Sequence, residues 1–212
     1  MEIVWYGHSC FRLRTRGAAA VTDPCAKQVG YNIPRLRADM VTVSSEHQDY
    51  CNLSLVQGSP VVINGPGEYE VKGIFVTGIA SRMKKKDAQI QRNTIYVFDF
   101  DALTVCHLGS IDHVPSQAQI QALADIDVLL IPVGAATTIN ANQAAEMIGL
   151  IQPKIVIPMH YGTKAINLRL DPLGKFLKEM GLPADTSPRD SLDITHNDLP
   201  AETQVIVLNY RE

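Results

Sequence analysis

The chain has 212 residues, 46% of them hydrophobic, and a formal net charge of −3 with a pI near 6.1. That composition supports one sizeable core and excludes the basic field that draws nucleic acid or acidic lipid. The opening Met1-Glu2-Ile3-Val4-Trp5-Tyr6 lacks the basic and apolar regions of a signal peptide, and no later segment reaches the ~18 apolar residues of a membrane helix. A single-domain cytoplasmic protein, with no membrane or nucleic-acid partner, is expected.

Short β-type runs fill the first half: 3–6, 10–13, 19–22, 40–44, 60–64, 69–71, 74–79, 94–100 and 103–108, separated by Gly, Pro, Asn or Asp. Phe98-Asp99-Phe100-Asp101-Ala102-Leu103 reads as a tight hairpin, Gly65-Pro66-Gly67-Glu68 as a turn, and Lys84-Lys85-Lys86 as a solvated loop tip. The second half alternates helix and strand: helices over 116–124, 140–150 and 171–180, strands over 128–133, 155–158, 192–195 and 204–208. Val128-Leu129-Leu130-Ile131 and Ile155-Val156-Ile157 are unbroken apolar runs, the mark of strands covered on both faces. No Pro- or Ser-rich linker divides the chain, so two sheets sandwiched between helices, over one domain 1–212, is the expected architecture.

Cys10, Cys25, Cys51 and Cys106 are scattered without a CxxC pair, which fits reduced thiols rather than a disulfide framework or a zinc knuckle. The chemistry-bearing residues lie elsewhere. His47 and Asp49 stand two apart, directly after the strand ending near Ser44, and His160 follows a buried strand at its carboxyl end, where open α/β sheets place their sites. Metal hydrolases need several imidazoles and carboxylates converging on one cleft, because bound cations lower the pKa of a water and polarise the substrate. Singly, each residue also has a bland reading: a His at a strand end is often packed and hydrogen-bonded, and Asp49 could cap a helix beginning near Asn52. His8, in the N-terminal hairpin, reads equally as a packing residue or a ligand contact.

Trp5-Tyr6-Gly7-His8-Ser9-Cys10-Phe11, Thr22-Asp23-Pro24, Ile63-Asn64-Gly65-Pro66-Gly67-Glu68-Tyr69-Glu70, Asn93-Thr94-Ile95-Tyr96, Cys106-His107-Leu108-Gly109, Asp127 to Gly134 and Ile157-Pro158-Met159-His160-Tyr161 occur in that order. In this the chain resembles the metallo-β-lactamase-fold superfamily, in particular its branch of small bacterial and archaeal Zn-dependent hydrolases. The resemblance covers nearly the whole chain and implies an α/β fold, a four-layer αββα sandwich with a metal cleft at one edge.

The family's His-x-His-x-Asp-His signature, laid on Ser45-Glu46-His47-Gln48-Asp49-Tyr50, leaves His47 and Asp49 but puts Ser45 and Tyr50 where imidazoles belong. Its next His falls near Met83, its bridging Asp at Ser110, and its last His at His160. By the resemblance, His47 belongs to one metal position and Asp49 and His160 to the other, so each is short of ligands. A serine hydroxyl is a poor ligand for a divalent cation and brings no negative charge. His113, His107 and Cys51 are the replacement candidates, although strand alternation sends His107 to the face opposite Ser110. Asp23 is expected to orient the motif loop through hydrogen bonds.

Two functions compete. One is a degenerate member of the fold with a binding or assembly role and no metal. The other is a mononuclear hydrolase of a phosphodiester, lactone or amide, using one weakly bound zinc, manganese or iron at His47, Asp49 and His160, with Asp49 as base. A third, Ser45 or Ser110 acting as nucleophile, lacks the strained Gly-x-Ser-x-Gly turn. A homo-oligomer is expected, with the ligand, small molecule or protein, left open.

Overall fold

A computed structural model describes residues 1–84, 90–100, 102–123 and 125–212, leaving aside the side chains of 48, 82–84, 90 and 91. The chain forms β1 (Glu2–Trp5), β2 (Phe11–Arg14), β3 (Ala19–Thr22), β4 (Leu36–Arg37), β5 (Met40–Thr42), β6 (Val56–Gln57), β7 (Val61–Ile63) and β8 (Gly67–Val71). It continues with β9 (Ile74–Lys84), β10 (Ile90–Asp99), β11 (Thr104–His107), α1 (Gln117–Gln121), β12 (Val128–Pro132), α2 (Ala141–Ile151), β13 (Ile155–Met159), α3 (Leu173–Glu179), β14 (Leu192–Asp193) and β15 (Gln204–Val205).

Two mixed sheets face each other, one ordered β14-β1-β2-β3-β5-β7 and the other β15-β13-β12-β11-β10-β9-β8. Strand alternation decides which residues fill the space between them. Ile3, Trp5, Phe11, Leu13, Ala20 and Met40 point inward to the main core, while Val4, Cys10, Val21 and Val41 face a second, outer cluster. β12 and β13 are buried at every position, as their unbroken apolar sequences require, because helices cover the far face of their sheet. The α2 residues Ala144, Met147 and Ile148 belong to that core. Both α1 and α2 begin with capping boxes, Ser116 with Gln119 and Asn140 with Gln143, which satisfy the first free N–H groups.

The result is the αββα sandwich of the metallo-β-lactamase fold, with one local difference. Over the first sheet, the outer layer among the described residues is built from 3-10 turns at Lys27–Val29 and Leu53–Leu55 and the small β4–β6 pair, which bury Val29, Leu36, Leu55 and Val56. The segment after Asn52 is therefore one 3-10 turn, and the Asn52 side chain makes no capping bond to it.

β9 and β10 run further than the sequence suggests, from Phe75↔Asp99 to Lys84↔Ile90, because pairing between them carries a stretch whose own pattern is weak. Phe100 N donates to Leu103 O at 3.0 Å, closing the hairpin expected there. Lys85, Lys86, Asp101 and Ala124 lie outside the described residues, as does the Lys84 side chain.

Two tethers hold the sheets in register near the motif loop. Tyr96 Oη, on β10, donates to Val43 O at 3.0 Å and is 3.1 Å from Ile63 O, while Thr94 N donates to Ser44 O at 2.8 Å. Among the described residues no helix is long and apolar enough to cross a membrane.

Candidate functional site

Three chain segments meet at one edge of the sandwich. The first is the β1–β2 turn, closed by Tyr6 N to Cys10 O at 2.8 Å and Cys10 N to Gly7 O at 2.9 Å. Gly7 has φ +94°, and a Cβ there would run into the Tyr31 ring, so only glycine fits. His8 follows with φ +50°, its carbonyl accepting from Trp5 Nε1 at 3.1 Å. The second segment is the end of β13. His160, φ +52°, donates its backbone N–H to the same His8 carbonyl at 3.1 Å. A Cβ at Gly134 would collide with His160 O, so glycine is what lets the β12 end pass behind it.

The third segment is the loop after β5. Asp23, fully buried with φ +37°, accepts from Ser44 N at 2.7 Å and from Ser44 Oγ at 2.6 Å, and so fixes where the motif begins. This is the orienting duty expected of it. The chain then turns through Gln48–Tyr50 and delivers Tyr50 into the cleft. Non-glycine residues with positive φ are uncommon and cluster where surrounding structure over-determines them. His8, Ala136 (φ +61°) and His160 are three such residues lining one cleft, and Asp23, a fourth, fixes the loop that enters it.

The cavity has a volume of about 250 Å³ and is lined by His8, His47, Asp49, Tyr50, Ser110, Ala136, Thr137, His160 and the Leu168-Arg169-Leu170 loop. His47, Asp49 and His160 thus share one cavity, joined by Tyr50 and Ser110. At its floor Tyr50 Oη lies 3.1 Å from His160 Nε2, with the two rings within 4° of parallel. His8 packs against both, its ring centroid 4.4 Å from that of His160 and 4.8 Å from that of Tyr50.

Burial governs protonation here. It holds His160 down at about 4 and His8 well below the ordinary histidine range, where the neighbouring His160, His47 and His107 add to the effect. It also pushes the Tyr50 phenol above its ordinary 10, with the charges of Asp23 and Asp49 acting in the same direction. Both groups are neutral, and which of them donates follows the His160 tautomer; its Nδ1 lies 3.4 Å from Thr138 Oγ1. Neither ring nitrogen of His8 has a hydrogen-bond partner although the residue is 1% exposed. An orphaned buried polar group of this kind costs about 1–3 kcal/mol.

These donors do not fit a metal pair. His160 Nε2 is taken by the Tyr50 hydroxyl, and His47 Nδ1 lies 3.3 Å from Asp49 Oδ2, so the two surviving motif residues pair with each other. Tyr50 would ligate as a phenolate, the form its burial opposes. Ser110 is held by Asn93, whose Oδ1 accepts from Ser110 N at 2.8 Å and lies 3.2 Å from its Oγ. Among the described residues no three His, Cys, Asp or Glu side chains come together to hold a metal ion.

The structure places none of the replacement candidates in this cavity. His113 projects outward with its side chain 42% exposed and Nδ1 2.7 Å from Asp112 Oδ1. His107, fully buried between the sheets, has Nε2 2.9 Å from Ser9 O and Nδ1 3.9 Å from Asp23 Oδ2, in line with its strand parity. Cys51 is exposed and lines a separate hollow of about 540 Å³ with Glu46, Ser81 and Arg92. Ser45 is buried beside the motif but does not line the cavity, and its Oγ accepts from His47 N at 3.3 Å. Met83 sits on β9 opposite Gln91, and its side chain lies outside the described residues. Thr137 and the Leu168–Leu170 loop were not singled out by the sequence, since no motif marks them.

Comparison with known proteins shows the fold and the family. Residues 2–160 match the beta-lactamase superfamily domain family. A UPF0173 protein of Pyrococcus abyssi is 27% identical over 187 residues, covering 77% of this chain and 84% of its own. A UPF0173 metal-dependent hydrolase of Thermoplasma acidophilum is 29% identical over 201 residues, covering 81% and 88%. Among solved structures, a candidate Zn-dependent hydrolase of the metallo-β-lactamase superfamily from Thermotoga maritima superposes with a TM-score of 0.79 at 36% identity, over 98% of this chain and 97% of that one. An isothiocyanate hydrolase from Delia radicum gut bacteria shares the fold, with a TM-score of 0.72 at 13% identity over 92% of this chain and 100% of its own. With the family model matched over residues 2–160, the chain belongs to the beta-lactamase superfamily, and relatives such as the Thermoplasma protein are named metal-dependent hydrolases.

Proposed function

We propose that this chain keeps the family's cleft as a small-molecule binding pocket and has lost the metal-assisted hydrolysis for which its relatives are named. The observation that carries this reading is the 3.1 Å contact between Tyr50 Oη and His160 Nε2, which puts a phenol where the family's pattern puts a metal ligand. Catalytic zinc wants about three protein ligands plus water, and four of the family's positions hold Ser45, Tyr50, Met83 and Ser110. The fold by itself is no argument for activity.

A second reading has its own support: His47, Asp49 and His160 line one cavity, and the relatives are named metal-dependent hydrolases. One zinc, manganese or iron held by those three would need Tyr50 to leave His160 and Asp49 to leave His47.

Elemental analysis of protein purified without an affinity tag or chelator, before and after dialysis against zinc, separates the two. The first reading expects only trace metal in both samples. About one metal per chain, lost in His160→Ala, would establish the second. Self-association belongs to the same proposal, supported by the exposed Val61 and Val62 on the edge strand β7. A monomeric mass by light scattering would remove it.

A further inference from the structure

We propose that His8 anchors the ligand of this cavity, and that the ligand is a small uncharged molecule with a hydrogen-bonding polar head and an apolar body. The inference rests on the cleft being the metal-free binding pocket described above. Its starting point is the His8 ring: 1% exposed, lining the cavity, and without a hydrogen-bond partner on either nitrogen. Buried polar groups in folded proteins are almost always partnered. The other two polar rings of the floor, Tyr50 and His160, satisfy each other, so the unspent hydrogen-bonding capacity is concentrated on His8.

The chemistry of the surroundings narrows the class. An imidazole shifts its proton between Nδ1 and Nε2, so the nitrogen facing a ligand can donate to a carbonyl oxygen or accept from an amide N–H. Among the described residues Arg169 is the one Lys or Arg that lines the cavity, and it is exposed rather than at the floor beside His8. The carboxylate of Asp49 lines the same cavity. A charged head would lose its hydration without finding a counter-charge. Ala136, Leu168 and Leu170 supply the wall for an apolar body. A phosphodiester, one of the substrate classes compatible with the family, is disfavoured on these grounds.

The matched pair benzamide and benzoate tests this, having one shape and different charge. In metal-free protein labelled with ¹⁵N-histidine, benzamide is expected to shift the His8 ring nitrogens and to bind about ten-fold or more tightly than benzoate, the scale of one buried hydrogen bond. His8→Phe keeps a ring against Tyr50 and His160 but removes the nitrogens, and should lower benzamide affinity by about the same factor. His8→Asn, which tolerates positive φ, guards against a folding failure, and Leu168→Trp should block the cavity without touching His8. Preference for benzoate, unchanged affinity in both His8 variants, or no benzamide binding to metal-free wild type would overturn the assignment. Finding a bound metal would instead overturn the reading it rests on, and elemental analysis of the same sample tells the two failures apart.

Discussion

Tyr50 Oη stands 3.1 Å from His160 Nε2, and the two rings lie nearly parallel with centroids 6.3 Å apart. The contact joins the motif loop after β5 of one sheet to the carboxyl end of β13 in the other. Tyr50 is thus a structural tie across the cleft.

Removing that tie has a predictable cost. Tyr50→Phe retains the ring and leaves His160 Nε2 buried without its partner, so unfolding free energy should drop by about 1–2 kcal/mol. Urea denaturation measures it. A drop of that size with unchanged far-UV circular dichroism supports the tie, whereas no change would show that the hydrogen bond contributes nothing in solution.

Backbone clearance behind His160 gives a sharper case. Gly134→Ala places a methyl group against His160 O, with backbone on both sides and no flexible side chain to yield. The expected loss is about 2 kcal/mol or more. Gly174→Ala, in α3 with open space around its Cβ position, is the control and should be neutral or slightly stabilising. Equal melting temperatures for the two variants would contradict this packing.

The buried titratable groups set the pH dependence. His107 and His160 fall from the ordinary 6.5 to about 4 in the folded chain, so their contribution is fully present above pH 6.5 and is lost as pH falls through 4. His8 acts in the same direction. Asp23 opposes them: raised from 3.8 to about 7 by burial, it contributes fully below 3.8 and its contribution is lost as pH rises through 7. Between pH 4 and 6.5 the histidines outnumber the single carboxyl, so acid destabilises by about 1.4 kcal/mol per pH unit or more. Above 6.5 only Asp23 among these groups is still titrating, and stability should decline slightly toward 7. A urea-midpoint series should peak near pH 6.5, and Asp23→Asn should remove the decline above it.

Much of this was legible in the sequence, for identifiable reasons. The Val128–Ile131 and Ile155–Ile157 runs announced doubly covered strands, and Ser116 and Asn140 marked helix starts that the structure confirms as capping boxes. The helical layer over the first sheet was not foreseeable as 3-10 turns, because segments as short as Lys27–Val29 carry no periodicity. In the site, strand parity correctly turned His107 away from Ser110. The orphaned His8 ring could not be read, since being unpartnered is a property of three-dimensional surroundings. Gly7 beside it was the available signal, a glycine at φ +94° shaping the turn that aims His8.

The central claim is that the donor set is too depleted to hold a metal, and zinc titration calorimetry addresses it most directly. Wild-type protein is compared with the double variant Tyr50→His, Ser110→Asp, which by the family's pattern completes the position of Asp49 and His160. The account predicts no heat of specific binding for wild type and about one zinc per chain for the double variant. Tight one-to-one binding by wild type, abolished in His160→Ala, would contradict it and restore the mononuclear hydrolase.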